Sequence, residues 1–253
     1  METLNKSIRL LFLIEYDGTD FSGWQWQARG RTVQRTLEGV MQRVFGQPIR
    51  LVAAGRTDAG VHSLGQVAHC NVVDCRVPVE RIPQAVNNLL PPDVRILQTS
   101  IAPPNFHARF SAVRRTYEYC ITKRFHPLTR RRAWTPNFLW DDEIIGREIQ
   151  LLIGRHSFRS FALFNPKEKD YVCDIFEADW KYDAKGCTFT ITADRFLHKM
   201  VRGIVHSLID LGRGYYSLEQ FSALLHSSTG NAAVRFAPPQ GLTLVRVEYP
   251  DCY

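Results

Sequence analysis

The order of its apolar runs constrains this chain more than any other feature. Residues 9–16 are rich in β-formers and stop at Asp17-Gly18, a turn pair. Val33, Leu37, Val40, Met41 and Val44 then recur at helical spacing, with Thr32 placed to cap the helix and Gly46 with Pro48 placed to end it. Residues 49–53 read as a buried strand, and Ala68, Cys70 and Val72 alternate with His69 and Asn71 as in a half-buried one. Ile82, Val86, Leu89 and Leu90 outline a second helix that tolerates Pro83 only in its first turn, and residues 94–101 close the series as a strand. The order is β-α-β-β-α-β.

The remainder repeats that order loosely. Residues 116–122 form a strand with Tyr117, Tyr119 and Ile121 on one face. Asp141 or Asp142 caps a helix carrying Ile145, Ile149 and Leu152, closed by Gly154. Residues 171–182 and 187–193 read as a hairpin around Asp183-Ala184-Lys185-Gly186. Leu197, Val201, Ile204, Leu208 and Leu211 mark the longest amphipathic helix, which would turn Lys199, Arg202 and His206 to solvent. Ser217 and Gln220 match a capping box for a further short helix, and residues 241–249 form the last strand. Two ferredoxin-like halves follow from this order, with a boundary expected near Ala102-Pro103-Pro104-Asn105, giving halves 1–104 and 105–253.

One polar stretch interrupts the first half between strands: Ala54-Gly55-Arg56-Thr57-Asp58-Ala59-Gly60-Val61-His62. Glycines permit sharp turns or close approach of a ligand, and between them a guanidinium and a carboxylate stand two residues apart. A positive neighbour favours the ionised form of a carboxylate, which can then act as nucleophile or base. The same stretch also reads as an ordinary strand-to-strand connection with Asp58 capping backbone N–H groups. Spacing alone leaves both open.

Charge narrows the partner. The chain of 253 residues has a net charge of +7, with 45% hydrophobic and 23% charged residues, enough apolar material for a core and a basic surplus suited to a polyanion. Eight of the basic residues fall between Arg109 and Arg132, a span in which Glu118 is the only acid. Among them are Arg114, Arg115 and the run Arg130, Arg131 and Arg132, interleaved with Phe106, Phe110, Tyr117, Tyr119, Phe125 and Trp134. Cations that neutralise phosphates beside rings that stack on splayed bases suit looped or single-stranded RNA. Alternatively the aromatics are core residues of a solvated basic strand pair. The six cysteines, at positions 70, 75, 120, 173, 187 and 252, include no C-x-x-C pair, so neither a metal site nor a disulfide framework is expected. The polar N-terminus and the short apolar run after it indicate no signal peptide or membrane span, which makes the cytoplasm the default location.

Five blocks in order carry a family resemblance. Glu15-Tyr16-Asp17-Gly18 through Phe21, Gly23-Trp24-Gln25 and Gln27 form the first, and the stretch from Ala54 to His62 forms the second and most specific. Asn105-Phe106-His107-Ala108-Arg109-Phe110-Ser111-Ala112 with Tyr117 and Tyr119 is the third; Phe196, Met200-Val201-Arg202 and Leu211-Gly212 the fourth; Pro238 to Leu242 with Leu244 and Tyr249 the fifth. They resemble the tRNA pseudouridine synthase A (TruA) family. Ser63 and His206 depart from its pattern, and residues 165–169 match it poorly.

The resemblance implies an α+β pseudouridine synthase fold in which two ferredoxin-like halves form a central, mainly antiparallel sheet. It implies an isomerase that converts uridine to pseudouridine in the anticodon stem-loop of tRNA, at expected tRNA positions 38, 39 and 40, without cofactor or metal and as a homodimer. Asp58 corresponds to the catalytic carboxylate, attacking ribose C1′ or, in an older alternative, base C6. Arg56 corresponds to the residue that enters the space left by the flipped base, Tyr117 to the ring that stacks on the flipped uracil, and Arg202 to the basic partner of the Asp. His62 reads as a structural turn residue. Arg114, Arg115, Arg130, Arg131, Arg132 and Lys199 form the expected RNA-binding surface. Two other readings compete. An inactive RNA-binding protein or RNA chaperone of the same fold would not need Asp58 and Arg56, both retained. A glycoside hydrolase would need a pair of carboxylates flanking the bond, and acids are scarce in the matched blocks.

Overall fold

The computed structural model describes residues 7–226 and 235–251. The N-terminal stretch read for a leader falls mostly in residues 1–6, which lie outside the described residues together with Cys252. The chain divides into two compact units, Met1–Val113 with Leu244–Tyr253 and Arg114–Thr243.

The first unit follows the expected order: β1 (Ser7–Tyr16), α1 (Val33–Phe45), β2 (Val52–Ala53), β3 (His62–Val73), α2 (Ile82–Asn87) and β4 (Val94–Ala102). Strand β1 lies between β3 and β4, antiparallel to both, with Leu10 opposite Cys70 on one side and Ile101 on the other. Strand β2 pairs antiparallel with β3, so β1 and β2 run parallel with β3 between them, the split β-α-β of a ferredoxin-like unit. Alternation on β1 sends Leu10, Phe12, Ile14 and Tyr16 into a core shared with Val33, Leu37 and Met41 of α1 and Ile82 and Val86 of α2. The helix signals hold: Thr32 Oγ1 accepts from Arg35 N, and Gly46 ends α1 in the left-handed region at φ 68°.

The expected strand over residues 49–53 is shorter in the structure. Leu51 is buried, but its N–H donates to Glu38 Oε1 at 2.9 Å and its carbonyl accepts from Gln34 Nε2 at 3.1 Å. Side chains of α1 thus take the hydrogen bonds a ladder would have used, and only Val52–Ala53 joins the sheet.

The second unit holds β5 (Arg114–Thr122), α3 (Asp142–Glu148), β6 (Gly154–Ser157), β7 (Val172–Tyr182), β8 (Gly186–Ala193), α4 (Met200–Gly212) and α5 (Leu218–His226). Its strands lie in the order β5-β8-β7-β6, each pair antiparallel. Asp141 is the cap of α3, accepting from Glu143 N at 2.8 Å and Ile144 N at 3.2 Å. The Asp183 carboxylate closes the hairpin by accepting from Lys185 N and Gly186 N. The capping box is reciprocal, Ser217 N donating to Gln220 Oε1 and Gln220 N to Ser217 Oγ. Strand β6 was not expected, because Gly-Arg-His-Ser carries no apolar alternation to reveal it.

Two expectations are corrected. Helix α4 has no wet face: of its thirteen residues only Arg202 is not buried, and His206, Ser207 and Asp210 lie inside. His206 and Asp210 are tolerated there because they are paired. His206 Nδ1 lies 3.2 Å from Asp210 Oδ2, and Asp210 also receives Arg235 at 3.2 Å and Arg213 at 3.5 Å. The compact units also differ from the halves 1–104 and 105–253. Phe106 and Ala108 pack with Ala54, Val67 and Ala102, and Tyr249 Oη donates to Ala108 O at 2.7 Å, which keeps residues 105–113 and the end of the last strand, β9 (Leu242–Glu248), in the first unit. Strand β9 neighbours β3, and Gly65 is needed there: a Cβ on it would stand 2.2 Å from Val245 O.

Candidate active site

In the first unit the stretch from Ala54 to His62 is the connection between β2 and β3, and it is fastened from three sides. From β3, Val67 O accepts from Ala54 N and Gln66 Nε2 donates to Gly55 O, both at 2.8 Å. From the end of β1, Tyr16 Oη and Thr57 Oγ1 share a buried hydrogen bond of 2.8 Å. Burial pushes the Tyr16 phenol up to about 12, with hydrogen bonds to Thr57, Gln66 and Ser63 opposing the shift, so it stays protonated at any ordinary pH.

The third side is the segment after β1. Trp24 N donates to Thr57 O at 3.0 Å and Gly60 N to Phe21 O at 3.3 Å. Gly23, at φ 92°, makes this approach possible, since a Cβ on it would stand 2.7 Å from Thr57 O and 3.2 Å from Ala59 N. Gly60 takes φ 80°, and Val61 N donates to Asp58 O at 3.2 Å, closing the turn after Asp58. His62 joins the loop to the turn after β1: its Nδ1 accepts from Gly18 N at 3.1 Å and lies 3.1 Å from Asp17 Oδ1.

The outcome is an ordered alternation along three residues. Thr57 is buried, Arg56 is exposed, and Asp58 is half-buried between the turn glycine and the fixed threonine. The backbone that carries the Asp58 carboxylate is thus held on both sides, by the Thr57 bonds before it and the turn at Gly60 after it. Sequence reasoning singled out Arg56 and Asp58 but not Tyr16 and Gln66, which fasten the loop through Thr57 and Gly55. The available signal was the phase of β1, which places Tyr16 on the inward face just before Asp17-Gly18.

Within the second unit, Tyr117 sits on β5 opposite Ile191 of β8, buried, with its ring edge-to-face against Phe196 at 5.1 Å. Arg202, on the first turn of α4, donates through Nε to Ala237 O at 2.7 Å, and Ala237 N donates back to Arg202 O at 3.0 Å. Tyr119, fully buried, donates to Pro238 O at 2.7 Å and fastens the same segment; sequence reasoning gave it no such part. Lys199 takes φ 61° and sets its ammonium 5.3 Å from the centre of the Phe236 ring.

The basic residues differ in what they touch. Arg114 lies over the Phe176 ring at 4.7 Å, and the half-buried Arg115 donates to Asp194 O at 2.6 Å. Arg130, Arg131 and Arg132 stand exposed on a run of turns closed by Thr129 N to His126 O and Arg132 N to Thr129 O. Among the described residues no group of three or more His, Cys, Asp or Glu side chains is placed to hold a metal ion, and no helix is long and apolar enough to cross a membrane.

Comparison with known proteins bears on this arrangement. The family profile described as tRNA pseudouridine synthase matches residues 13–111 and 149–250. A protein named tRNA pseudouridine synthase A from Bacillus subtilis is 39% identical over 96% of this chain and 100% of its own length. Proteins of the same name from Akkermansia muciniphila and Roseiflexus castenholzii are 37% and 41% identical, covering 96% and 94% of this chain and 96% and 89% of theirs. A chain of a Cbf5-Nop10-Gar1 complex gives a distant likeness, with a TM-score of 0.38 and 9% identity; the alignment covers 97% of this chain but 59% of that one, and no inference rests on it. The matched profile includes both the loop bearing Asp58 and the helix bearing Arg202, and the chain belongs to the tRNA pseudouridine synthase family, whose members are isomerases.

Proposed function

We propose that this protein converts uridine to pseudouridine in the anticodon stem-loop of tRNA, at positions 38, 39 and 40, with Asp58 as the reacting carboxylate. The observation that carries the reading is the three-sided fastening of the Asp58 loop through Tyr16, Trp24 and Gln66. The Asp58 carboxylate attacks ribose C1′ as the bond to uracil N1 breaks. The freed base turns, C5 attacks C1′ and displaces the Asp58 carboxylate, the C5 proton leaves and N1 gains one. Product and substrate are isomers, so the step needs no oxidant, reductant or second substrate.

A stem uridine must first leave the stack, at a cost of a few kcal/mol that contacts to the flipped nucleotide offset. Arg56, exposed beside Asp58, enters the vacated space. Tyr117 supplies the ring on which the uracil stacks, and Arg202 is the cationic partner of the reacting carboxylate. Arg114, Arg115, Arg130, Arg131, Arg132 and Lys199 belong to the surface that meets the phosphates. The enzyme acts as a homodimer in the cytoplasm.

The test is incubation with unmodified tRNA followed by mapping of pseudouridine at each position. Product at the anticodon stem-loop is expected from the native protein. None is expected from Asp58→Ala, which still binds tRNA. Turnover by Asp58→Ala removes the assignment of that residue; product elsewhere in the tRNA, or none, removes the site of action.

A further inference from the structure

We propose that Phe110, backed by His107 and flanked by Arg109, is a stacking platform for an unpaired base of the bound RNA, an inference that rests on the tRNA reading above. In the first unit a tight turn is closed at both ends: His107 N donates to Ser111 Oγ at 3.0 Å, and Ser111 N donates to His107 O at 2.9 Å. The His107 Nδ1 atom accepts from Arg109 N and from Phe110 N, each at 3.2 Å, so the imidazole is fixed by the turn it supports. Its ring lies against that of Phe110 with centroids 4.4 Å apart and planes 32° apart. Behind it stands His69 at 5.0 Å, and behind His69 stands the fully buried Phe106 at 6.0 Å. The Arg109 guanidinium lies 5.6 Å from the centre of the Phe110 ring.

A row of rings thus runs from the core to the surface and ends on a phenyl group that is 77% exposed. A single exposed apolar residue is unremarkable in itself. One whose ring rests on an imidazole held by its own turn, with a cation at its side, has less side-chain freedom for binding to remove. The combination of a π face and an adjacent positive charge suits a nucleotide, whose base stacks while its phosphate meets the cation, and it accepts any base because every base has a π face. Phe106 and Ala108 of this turn also share a small core with Ala54, the first residue of the Asp58 loop, so platform and loop belong to one packed piece.

The experiment measures equilibrium binding of unmodified tRNA by the full-length protein and by Phe110→Ala, Phe110→Leu and Phe110→Trp, with thermal unfolding of each to confirm the fold. Loss of base stacking weakens binding by roughly 5- to 100-fold, and that loss is expected for Ala and for Leu, which keeps apolar bulk without a π face. The Trp variant binds as the native protein does. Native affinity in both Ala and Leu variants overturns the platform, as does a Leu variant that binds like Trp. A change in oligomeric state without change in tRNA affinity also overturns it and assigns the ring to a protein contact. Pseudouridine mapping with the native protein separates the two readings: product formed while Phe110 variants bind normally removes the platform alone, whereas a native protein that neither binds nor modifies tRNA removes both.

Discussion

Tyr16 and Thr57 lie 41 residues apart in sequence, yet their hydroxyls meet at 2.8 Å in the interior of the first unit. The bond ties the last residue of β1 to the residue before Asp58. Both partners are buried, Tyr16 at 4% and Thr57 at 7% exposure, so neither finds water if the other is removed. Replacing Tyr16 by Phe is expected to lower stability by about 1–3 kcal/mol, the cost of stranding the Thr57 hydroxyl. Pseudouridine formation falls with it, because the backbone that carries Asp58 is released. The check is a double-mutant cycle with Thr57→Val, measured by denaturant unfolding and initial rate. The pair of substitutions together is expected to cost little more than either alone.

Gly23 gives a second handle on the same loop. Gly23→Ala adds a Cβ 2.7 Å from Thr57 O at a backbone with φ 92°. A destabilisation of about 1–3 kcal/mol is expected, together with a lower rate. Gly46→Ala is the comparison, because Gly46 also has positive φ but no atom within 4 Å of the added carbon. It is expected to be destabilised by about 1 kcal/mol, the left-handed cost alone, and to keep its rate.

His69 makes the first unit acid-sensitive. Burial, then the charge of Arg9 and of His107, lower its pKa to about 4, against a backbone hydrogen bond to Val52 that raises it. Its Nδ1 accepts from Ala108 N at 3.1 Å, a bond that requires that nitrogen to be unprotonated. Because the folded value lies below the unfolded one of roughly 6.5, the unfolded chain binds the proton first. Stability that is complete above about pH 6.5 is therefore expected to be lost progressively as pH falls toward 4. Thermal unfolding between pH 7.5 and 4.5 tests this, with a flatter profile expected for His69→Gln.

The exposed arginines predict a salt effect. Replacing Arg130, Arg131 and Arg132 by Ala should weaken tRNA binding and flatten its dependence on salt, by about 0.7–0.9 in the slope of log K against log salt for each phosphate no longer neutralised. Binding titrations at several salt concentrations measure it, and an unchanged slope removes this run from the RNA surface.

Much of the fold is written in local patterns. The spacing of Val33, Leu37 and Met41, the Thr32 and Asp141 caps, the turn at Asp183 and the box at Ser217 each involve residues within a few positions of one another, and each forms as its pattern implies. Local hydrogen bonds and side-chain period depend little on what the rest of the chain does. The loop from Ala54 to His62 is equally legible, as a polar, glycine-bracketed interruption between strands. Helix α4 departs from its pattern because period reports only where apolar residues fall, and the Asp210 ion pairs that let His206 and Asp210 be buried join it to Arg235, 25 residues away.

By itself the sequence determined the β-α-β-β-α-β order, the helix ends, the basic surplus and the Arg56–Asp58 pair. Tertiary structure alone decided that Tyr16, Trp24 and Gln66 fasten the loop that carries that pair, that Leu51 leaves its ladder for Glu38 and Gln34, and that residues 105–113 belong with the first unit. The physical reason is reach. Caps and periodicity are settled between near neighbours, whereas the partner of a buried hydroxyl or amide is set by which strands pair and in what register, and that is a property of the whole assembled sheet.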